Sequence, residues 1–199
     1  MDRYEDKIGS YLMQLTGREM TDTQNRSVTQ YLRAITDLER ISDHALNIAE
    51  RAQEMNEKKI QFSDKGWREM TNLTDAITRI ITITFDSFLE ADPEAAFRVE
   101  PLEQVIDRIC RKMRERHTAR LRKGKCTIGN GYVFNDLISD FERVSDHCSN
   151  IAIVQVELED NNLDVHEMSE TLKEENTHQF DLYYEEFSER YLKKKDRED

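Results

Sequence analysis

The 199-residue sequence has only two prolines, six glycines and three cysteines. So few turn-forming residues among many Glu, Lys, Arg, Leu and Ile are typical of a mostly helical protein with short connections. Cys110, Cys126 and Cys148 are odd in number and contain no CxxC pair, which argues against a disulfide framework or a thiolate metal site. We therefore expect an all-α protein in a reducing, cytoplasmic setting.

Basic residues and long apolar runs are also scarce. The 29 Lys and Arg stand against 41 Asp and Glu, which gives a formal net charge of -12. Nucleic-acid binding depends on clustered Lys and Arg, so this balance argues against it. The most apolar stretch, residues 77–89, is too short to span a bilayer and contains Arg79 and Asp86. We expect no membrane span in this chain.

Sequence motifs of catalysis are missing as well. The chain contains no Gly-rich phosphate loop, no nucleophile elbow and no HExxH or His-x-x-x-His pair. Acidic pairs on a helical bundle, without a pocket or a base, are poor grounds for proposing hydrolysis. We therefore expect that the protein is not an enzyme.

One 13-residue segment occurs twice. DLERISDHALNIA spans residues 37–49 and DFERVSDHCSNIA spans residues 140–152, with nine identities at an offset of 103 residues. At 100° per residue, the apolar positions of each copy fall on one stripe of a helix, which predicts the core-facing side. Cys148 lies on that stripe, so it is interpreted as a small core residue and not as a reactive thiol.

Acidic pairs recur with the repeated segment. Glu39 and Asp43 are four residues apart, so they lie one above the other on the helix, away from the core stripe. A similar pair occurs one helix upstream of each copy, at a distance that suits an antiparallel return. Four carboxylates per repeat would suit hard divalent cations or iron, whereas the alternative is a solvated acidic face. The predicted ligands are Asp2, Asp6, Glu39, Asp43, Glu103, Asp107, Glu142 and Asp146.

The other polar residues of the repeat have less certain roles. His44 and His147 each follow an Asp directly and point about 100° away from it. A structural hydrogen bond to a neighbouring helix is therefore favoured over a role as metal ligand. Arg40 and Arg143 face away from the core, and they could pair across helices or bind an anion.

The pattern predicts six helices with recognisable starts. Thr21 with Gln24 indicates a capping box, Ser63 is an N-cap, and Asp92 precedes a first-turn proline. A kink or restart is expected at Pro101. The expected helices span about 1–15, 21–54, 63–89, 93–122, 132–159 and 164–194, the last opened by Asp164 and Glu167.

The two copies of the segment resemble the signature of the PhoU family. Residues 116–152 are similar to the PhoU-like cytoplasmic region that follows the membrane part of bacterial sodium/phosphate cotransporters. The resemblance covers residues 1–160 and implies two three-helix bundles, each with E(D)xxxD metal motifs on two helices. It implies bound iron, zinc or another divalent ion such as magnesium or calcium, with the eight acids above at the motif positions. At the first pair, Asp2 stands in place of the more usual Glu.

The resemblance also implies a function and partners. The favoured hypothesis is a cytoplasmic regulatory domain of a sodium-dependent phosphate transporter, which binds metal at the inner face of the membrane and modulates phosphate uptake. Its partner would be a membrane transport domain of the same or another chain, with a homodimer as a further possibility. The alternatives are a free-standing PhoU-type phosphate-signalling adaptor and a structural helical scaffold without metal.

The domain organisation follows from the repeat. Residues 1–62 form repeat 1, which lacks its first helix, residues 63–160 form repeat 2, and residues 161–199 form a C-terminal helix with a charged tail. This last helix carries an apolar stripe that includes Leu172, Phe180 and Tyr184. We expect the stripe to pack on repeat 1, near Leu12 and Leu32, in place of the missing helix. The alternative is a helix that extends towards a partner or dimerises.

Overall fold

The computed structural model describes residues 1–17, 19–160 and 171–193. These residues contain no strand, and the all-α class predicted from the sequence is confirmed. They form six long helices and one single-turn helix, α4, which lies between α3 and α5. α7 continues into a π-helical turn at Glu189–Lys193. The helices are α1 (Asp2–Thr16), α2 (Asp22–Glu57), α3 (Asp64–Glu90), α4 (Pro93–Ala96), α5 (Val99–Arg122), α6 (Ile128–Asp160) and α7 (Thr171–Ser188).

The helix starts follow local chemistry. Thr21 and Gln24 form the predicted capping box, in which each side chain accepts a hydrogen bond from the backbone N–H of the other residue. The side chains of Ser63 and Asp92 each accept a hydrogen bond from the backbone N–H three residues later. These caps satisfy N–H groups that have no partner within their helix, so the predicted starts of α2, α3 and α4 are confirmed.

The helix break expected at Pro101 lies earlier in the chain. α4 is a single turn that ends at Ala96, and α5 begins at Val99. Pro101 is therefore a first-turn residue of α5, where a backbone N–H would have no intrahelical acceptor. The proline fits the start of the helix and needs no kink.

α3, α5 and α6 form a closed bundle around a buried apolar core. Its fully buried side chains come from all three helices, and α4 packs against α3 and α6. Cys148 is one of them, as the sequence predicted, and burial raises its pKa to about 12. The largest are Phe134, Leu73, Ile80, Leu102, Ile106, Met113, Ile138 and Ile151.

α1 and α2 form a hairpin with an open apolar face. No residue of α1 is buried, and Tyr4 and Tyr11 are exposed. A groove of about 440 Å³ lies where Leu12 and Tyr31 face each other across the hairpin. In the closed bundle, the residue that matches Tyr31 is Phe134, and it is buried. The hairpin thus corresponds to the α5–α6 half of the closed bundle, and among the described residues no helix packs on it in the place of α3.

The C-terminal helix does not complete the hairpin, so that part of the prediction is wrong. α7 packs against α5, where Nη1 of Arg108 donates to the Tyr184 hydroxyl at 3.1 Å. In the following π-helical turn, the carbonyl oxygen of Tyr191 accepts a hydrogen bond from Asn72 of α3 at 3.0 Å. Phe187 is buried, and the helix therefore covers the closed bundle. The expected opening at Asp164 and Glu167, and the side chain of Leu172, lie outside the described residues.

Arg98, next to the start of α5, contacts both an aromatic and an acidic side chain of α7. The Arg98 guanidinium lies 5.0 Å from the centroid of the Tyr183 ring, within the range of a cation–π interaction. It also lies 3.5 Å from the carboxylate of Glu186. The sequence showed that the helix has an apolar face, but it could not show which groove receives that face.

The repeated segments lie side by side on α2 and α6. Nδ1 of His147 is 2.8 Å from the carboxylate of Asp37, and Nδ1 of His44 is 2.9 Å from that of Asp140. Residues early in one segment thus contact residues late in the other, so the helices run antiparallel. The histidine rings stack with centroids 5.7 Å apart. The predicted structural role of both histidines is confirmed, and the repeat positions its two copies about a pseudo-two-fold axis.

Candidate metal centres

The first acidic cluster joins the start of α1 to the middle of α2. Carboxylate oxygens of Asp2, Glu39 and Asp43 all lie within 4.8 Å of one another. The helical spacing of Glu39 and Asp43 points both side chains towards the first turn of α1, as the sequence predicted. Asp6 is not part of the cluster and is exposed. Three of the four predicted ligands of repeat 1 therefore come together.

The second cluster lies between α5 and α6. Carboxylate oxygens of Glu103, Asp107 and Asp146 lie within 4.8 Å of one another. The fourth predicted ligand, Glu142, is held by Arg114 in a bidentate ion pair, with N–O distances of 2.9 and 2.6 Å. All three acids of this cluster are half-buried, whereas Asp2 of the first cluster is exposed. The second cluster is therefore less exposed than the first.

Burial and mutual repulsion raise the pKa of two carboxyl groups in the second cluster. Burial is the largest cause that raises the pKa of Glu103 to about 8, and the neighbouring charge of Asp107 adds to it. The pKa of Asp107 is also raised, by burial and then by the charge of Glu142, although Arg114 opposes this. A divalent cation among these groups would offset the repulsion and favour their ionised forms.

The first cluster shows the same effect in weaker form, and an acid that the sequence analysis missed lies near it. The pKa of Glu39 is raised by burial and by the charge of Asp43, while Arg40 lowers it. Glu5 is also close enough to raise this pKa, and its carboxylate accepts a hydrogen bond from the Thr36 hydroxyl at 3.3 Å. The signal for Glu5 was its position three residues after Asp2, on the same helix face.

The two repeated arginines pair with acids of their own helices. Nη1 of Arg40 lies 3.7 Å from Asp43, and Nη1 of Arg143 lies 3.3 Å from Asp146. More than half of each arginine side chain is exposed. Each arginine therefore lies at the edge of a cluster and pairs within its own helix, not across helices.

The donor set of both clusters fits a hard cation. Each cluster offers carboxylate oxygens from two helices, which is the ligand type that Mg²⁺, Ca²⁺, Mn²⁺ and iron accept. Within the described part of the chain, neither cluster includes His or Cys, and His44 and His147 already bond Asp140 and Asp37. The arrangement is therefore better suited to these oxygen-preferring ions than to a thiolate-bound metal.

Comparison with known proteins places the fold and the repeat in one family. The family model described as PhoU domain matches residues 1–52 and 70–154, which together exceed half of the chain. The chain belongs to the PhoU family. The earlier resemblance to this family is thereby confirmed.

Curated relatives carry names from phosphate transport. The chain is 32% identical over 128 residues to "Phosphate-specific transport system accessory protein PhoU homolog 1" of Thermotoga maritima, covering 64% of this chain and 54% of that protein. It is 25% identical over 138 residues to the PhoU homolog of Pseudomonas putida, covering 69% of this chain and 53% of that protein. The chain spans about half the length of the curated relatives it matches.

A solved structure confirms the fold. The crystal structure of PhoU from Pseudomonas aeruginosa matches 80% of this chain and 76% of that chain, with a TM-score of 0.72 and 23% sequence identity. None of the helices in the described part of this chain is long and apolar enough to cross a membrane. The relatives are named as accessory proteins, so the finer expectation of a sodium/phosphate cotransporter domain stays a prediction.

Proposed function

We propose that this PhoU family chain is an accessory protein that regulates phosphate transport and is not itself an enzyme. The observation that carries the proposal is the family match, which extends over both copies of the repeat. Relatives named as accessory proteins of the phosphate-specific transport system support the adaptor hypothesis over a domain fused to a transporter. Its partner would then be a membrane transport protein, which it would meet at the cytoplasmic face.

The proposal includes divalent metal binding at the two acidic clusters. Glu103, Asp107 and Asp146 would hold one ion. The equivalent ion of repeat 1 would be held by Asp2, Glu39 and Asp43. A bound cation would supply positive charge that joins two helices of each repeat, and the chain's acids would position it. Metal occupancy would thus stabilise the arrangement of the helices that a partner contacts.

A cellular experiment tests the regulatory role. Phosphate uptake is measured in cells that lack the gene and in cells that carry the wild type or the double variant Asp43→Asn/Asp146→Asn. We expect deletion to change the uptake rate, the wild type to restore it and the double variant to fail. Glu94→Gln, an exposed acid of α4 outside both clusters, is the matched control and should restore uptake. Unchanged uptake after deletion would contradict the regulatory role.

A binding experiment tests the metal sites separately. Mn²⁺ is titrated calorimetrically into the chelator-treated chain and its single variants. We expect Asp43→Asn and Asp146→Asn each to remove one binding event and to leave the other. Wild-type protein that binds no Mn²⁺, or variants that bind as the wild type does, would favour the scaffold hypothesis without metal.

A further inference from the structure

The internal repeat allows the two clusters to be compared position by position. Glu142 and Ser139 correspond to Glu39 and Thr36 at the offset of 103 residues. Arg114 of α5 donates to the Ser139 hydroxyl, whereas the Thr36 hydroxyl donates to Glu5 of α1, so Glu5 occupies in repeat 1 the place that Arg114 has in repeat 2. In repeat 1, Glu39 belongs to its cluster. In repeat 2, the equivalent Glu142 is left out of the cluster and pairs with Arg114. The difference follows the residue on the upstream helix, Glu5 in one case and Arg114 in the other.

The Arg114 guanidinium binds both carboxylate oxygens of Glu142. Its Nη1 donates to Oε1 of Glu142 at 2.9 Å, and its Nη2 donates to Oε2 at 2.6 Å. Nη2 also donates to the Ser139 hydroxyl at 3.3 Å. Such a planar fork is the strongest common way to bind a carboxylate, because two parallel charge-assisted bonds form at once. Both oxygens of Glu142 are therefore already engaged.

We propose that Arg114 is a built-in cation that holds Glu142 out of the second site and so sets the number of its carboxylate ligands and its affinity for metal. This inference rests on the proposed metal binding. A divalent ion that recruited Glu142 would have to compete with the guanidinium for its oxygens, and every ion at the site experiences the positive charge of Arg114. At the matching place repeat 1 has Glu5, which does not compete with a cation, and it keeps the equivalent glutamate in its cluster.

The two repeated arginines do not account for this difference. Arg40 and Arg143 occupy the same place in both repeats, so they cannot distinguish one site from the other. Arg111 lies on α5 three residues before Arg114 and lowers the pKa of Asp107 through its charge. Arg111 therefore provides a matched control, because its loss removes one nearby positive charge.

The test uses calorimetric titration with Mn²⁺ on the full chain. Arg114→Met removes the guanidinium and keeps a long side chain, and we expect the second site to bind Mn²⁺ about tenfold more tightly. Arg111→Met should give a clearly smaller gain. In the double variant Arg114→Met/Glu142→Gln, most of the gain should disappear, because the released carboxylate is absent. The converse change, Glu5→Arg, places a cation near Glu39 and should weaken the first site.

A second variant tests the inference without removing the arginine. Because Glu142 is held out of the wild-type site, Glu142→Gln alone should weaken Mn²⁺ binding only through its lost charge, by less than about tenfold, whereas Glu103→Gln should abolish binding at that site. Loss of binding in Glu142→Gln would overturn the inference. An unchanged affinity in a folded Arg114→Met, or an equal gain in Arg111→Met, would overturn it too.

Failure of the proposed function has a different signature. If neither the wild type nor Arg114→Met binds Mn²⁺ at any site, both the metal proposal and this inference fall. If the wild type binds Mn²⁺ but Arg114→Met shows no gain, only the role of Arg114 falls. Far-ultraviolet circular dichroism on each variant establishes that the helical fold is retained.

Discussion

Glu103 gives the metal-free protein a pH dependence that can be measured. Burial, followed by the charges of Asp107 and Glu100, raises its pKa from 4.5 to about 8. Unfolding returns the carboxyl group to water, so the folded state holds a proton that the unfolded state has released. The resulting stabilisation is fully present below pH 4.5 and is lost as the pH rises through about 8. The free energy of unfolding should therefore fall across this window.

The size of the effect follows from the shift. One pKa unit is equivalent to about 1.4 kcal/mol, so a group fully removed from water would lose about 5 kcal/mol over this range. Glu103 is only partly buried, and solvent screening reduces the effect to about 2 kcal/mol. For a domain of this size, about 2 kcal/mol corresponds to about 4 to 8 °C in Tm.

Thermal unfolding of Glu103→Gln in the presence of a chelator tests this reasoning. The variant keeps the shape of the side chain but cannot ionise, so its Tm should match the wild type near pH 4 and exceed it by about 4 to 8 °C near pH 8. Glu54→Gln is a control of opposite sign, because hydrogen bonds from Lys58 and Arg51 lower the pKa of Glu54. That variant should be less stable than the wild type at neutral pH and approach it on acidification. A Tm difference for Glu103→Gln that does not grow with pH would refute the account.

Two further changes test the packing of the bundles. Asp37→Ala removes the hydrogen-bond acceptor of His147 between α2 and α6. We expect urea denaturation to show a free energy of unfolding lower by about 1 to 3 kcal/mol. A decrease below about 0.5 kcal/mol would contradict the role of the pair. Gly131→Ala would place Cβ 2.8 Å from Nε2 of the buried His117 and should cost about 1 to 3 kcal/mol. Gly129→Ala meets nothing within 4 Å and should be neutral or slightly stabilising; equal effects of the two changes would contradict this reasoning.

Helix positions could be predicted because they depend on local chemistry. The Thr21 capping box and the Ser63 N-cap each involve residues three apart, which are visible in the sequence alone. The core stripe that includes Cys148 was likewise a matter of periodicity. The placement of α7 could not be predicted, because several grooves accept an apolar stripe and the choice depends on distant groups such as Arg98.

The acidic clusters were predicted in outline but not in membership. The recurrence of acidic pairs showed which helices face each other, and six of the eight predicted ligands come together in two groups. The ion pair of Glu142 could not be foreseen because Arg114 lies 28 residues away on another helix, and nothing in its immediate sequence marks it as a partner; Glu142 as a metal ligand stays a prediction. Asp6 is exposed although it lies four residues after Asp2. Spacing within α1 does not determine how α1 packs against α2, so it could not show which of the two acids would face Glu39.

Anomalous diffraction from Mn²⁺-soaked crystals of the chain is the most direct test of the metal proposal. The account predicts one peak among Glu103, Asp107 and Asp146 and another among Asp2, Glu39 and Asp43, with Glu142 still bound by Arg114. Absence of a peak at both clusters, with ions bound only elsewhere, would contradict the account.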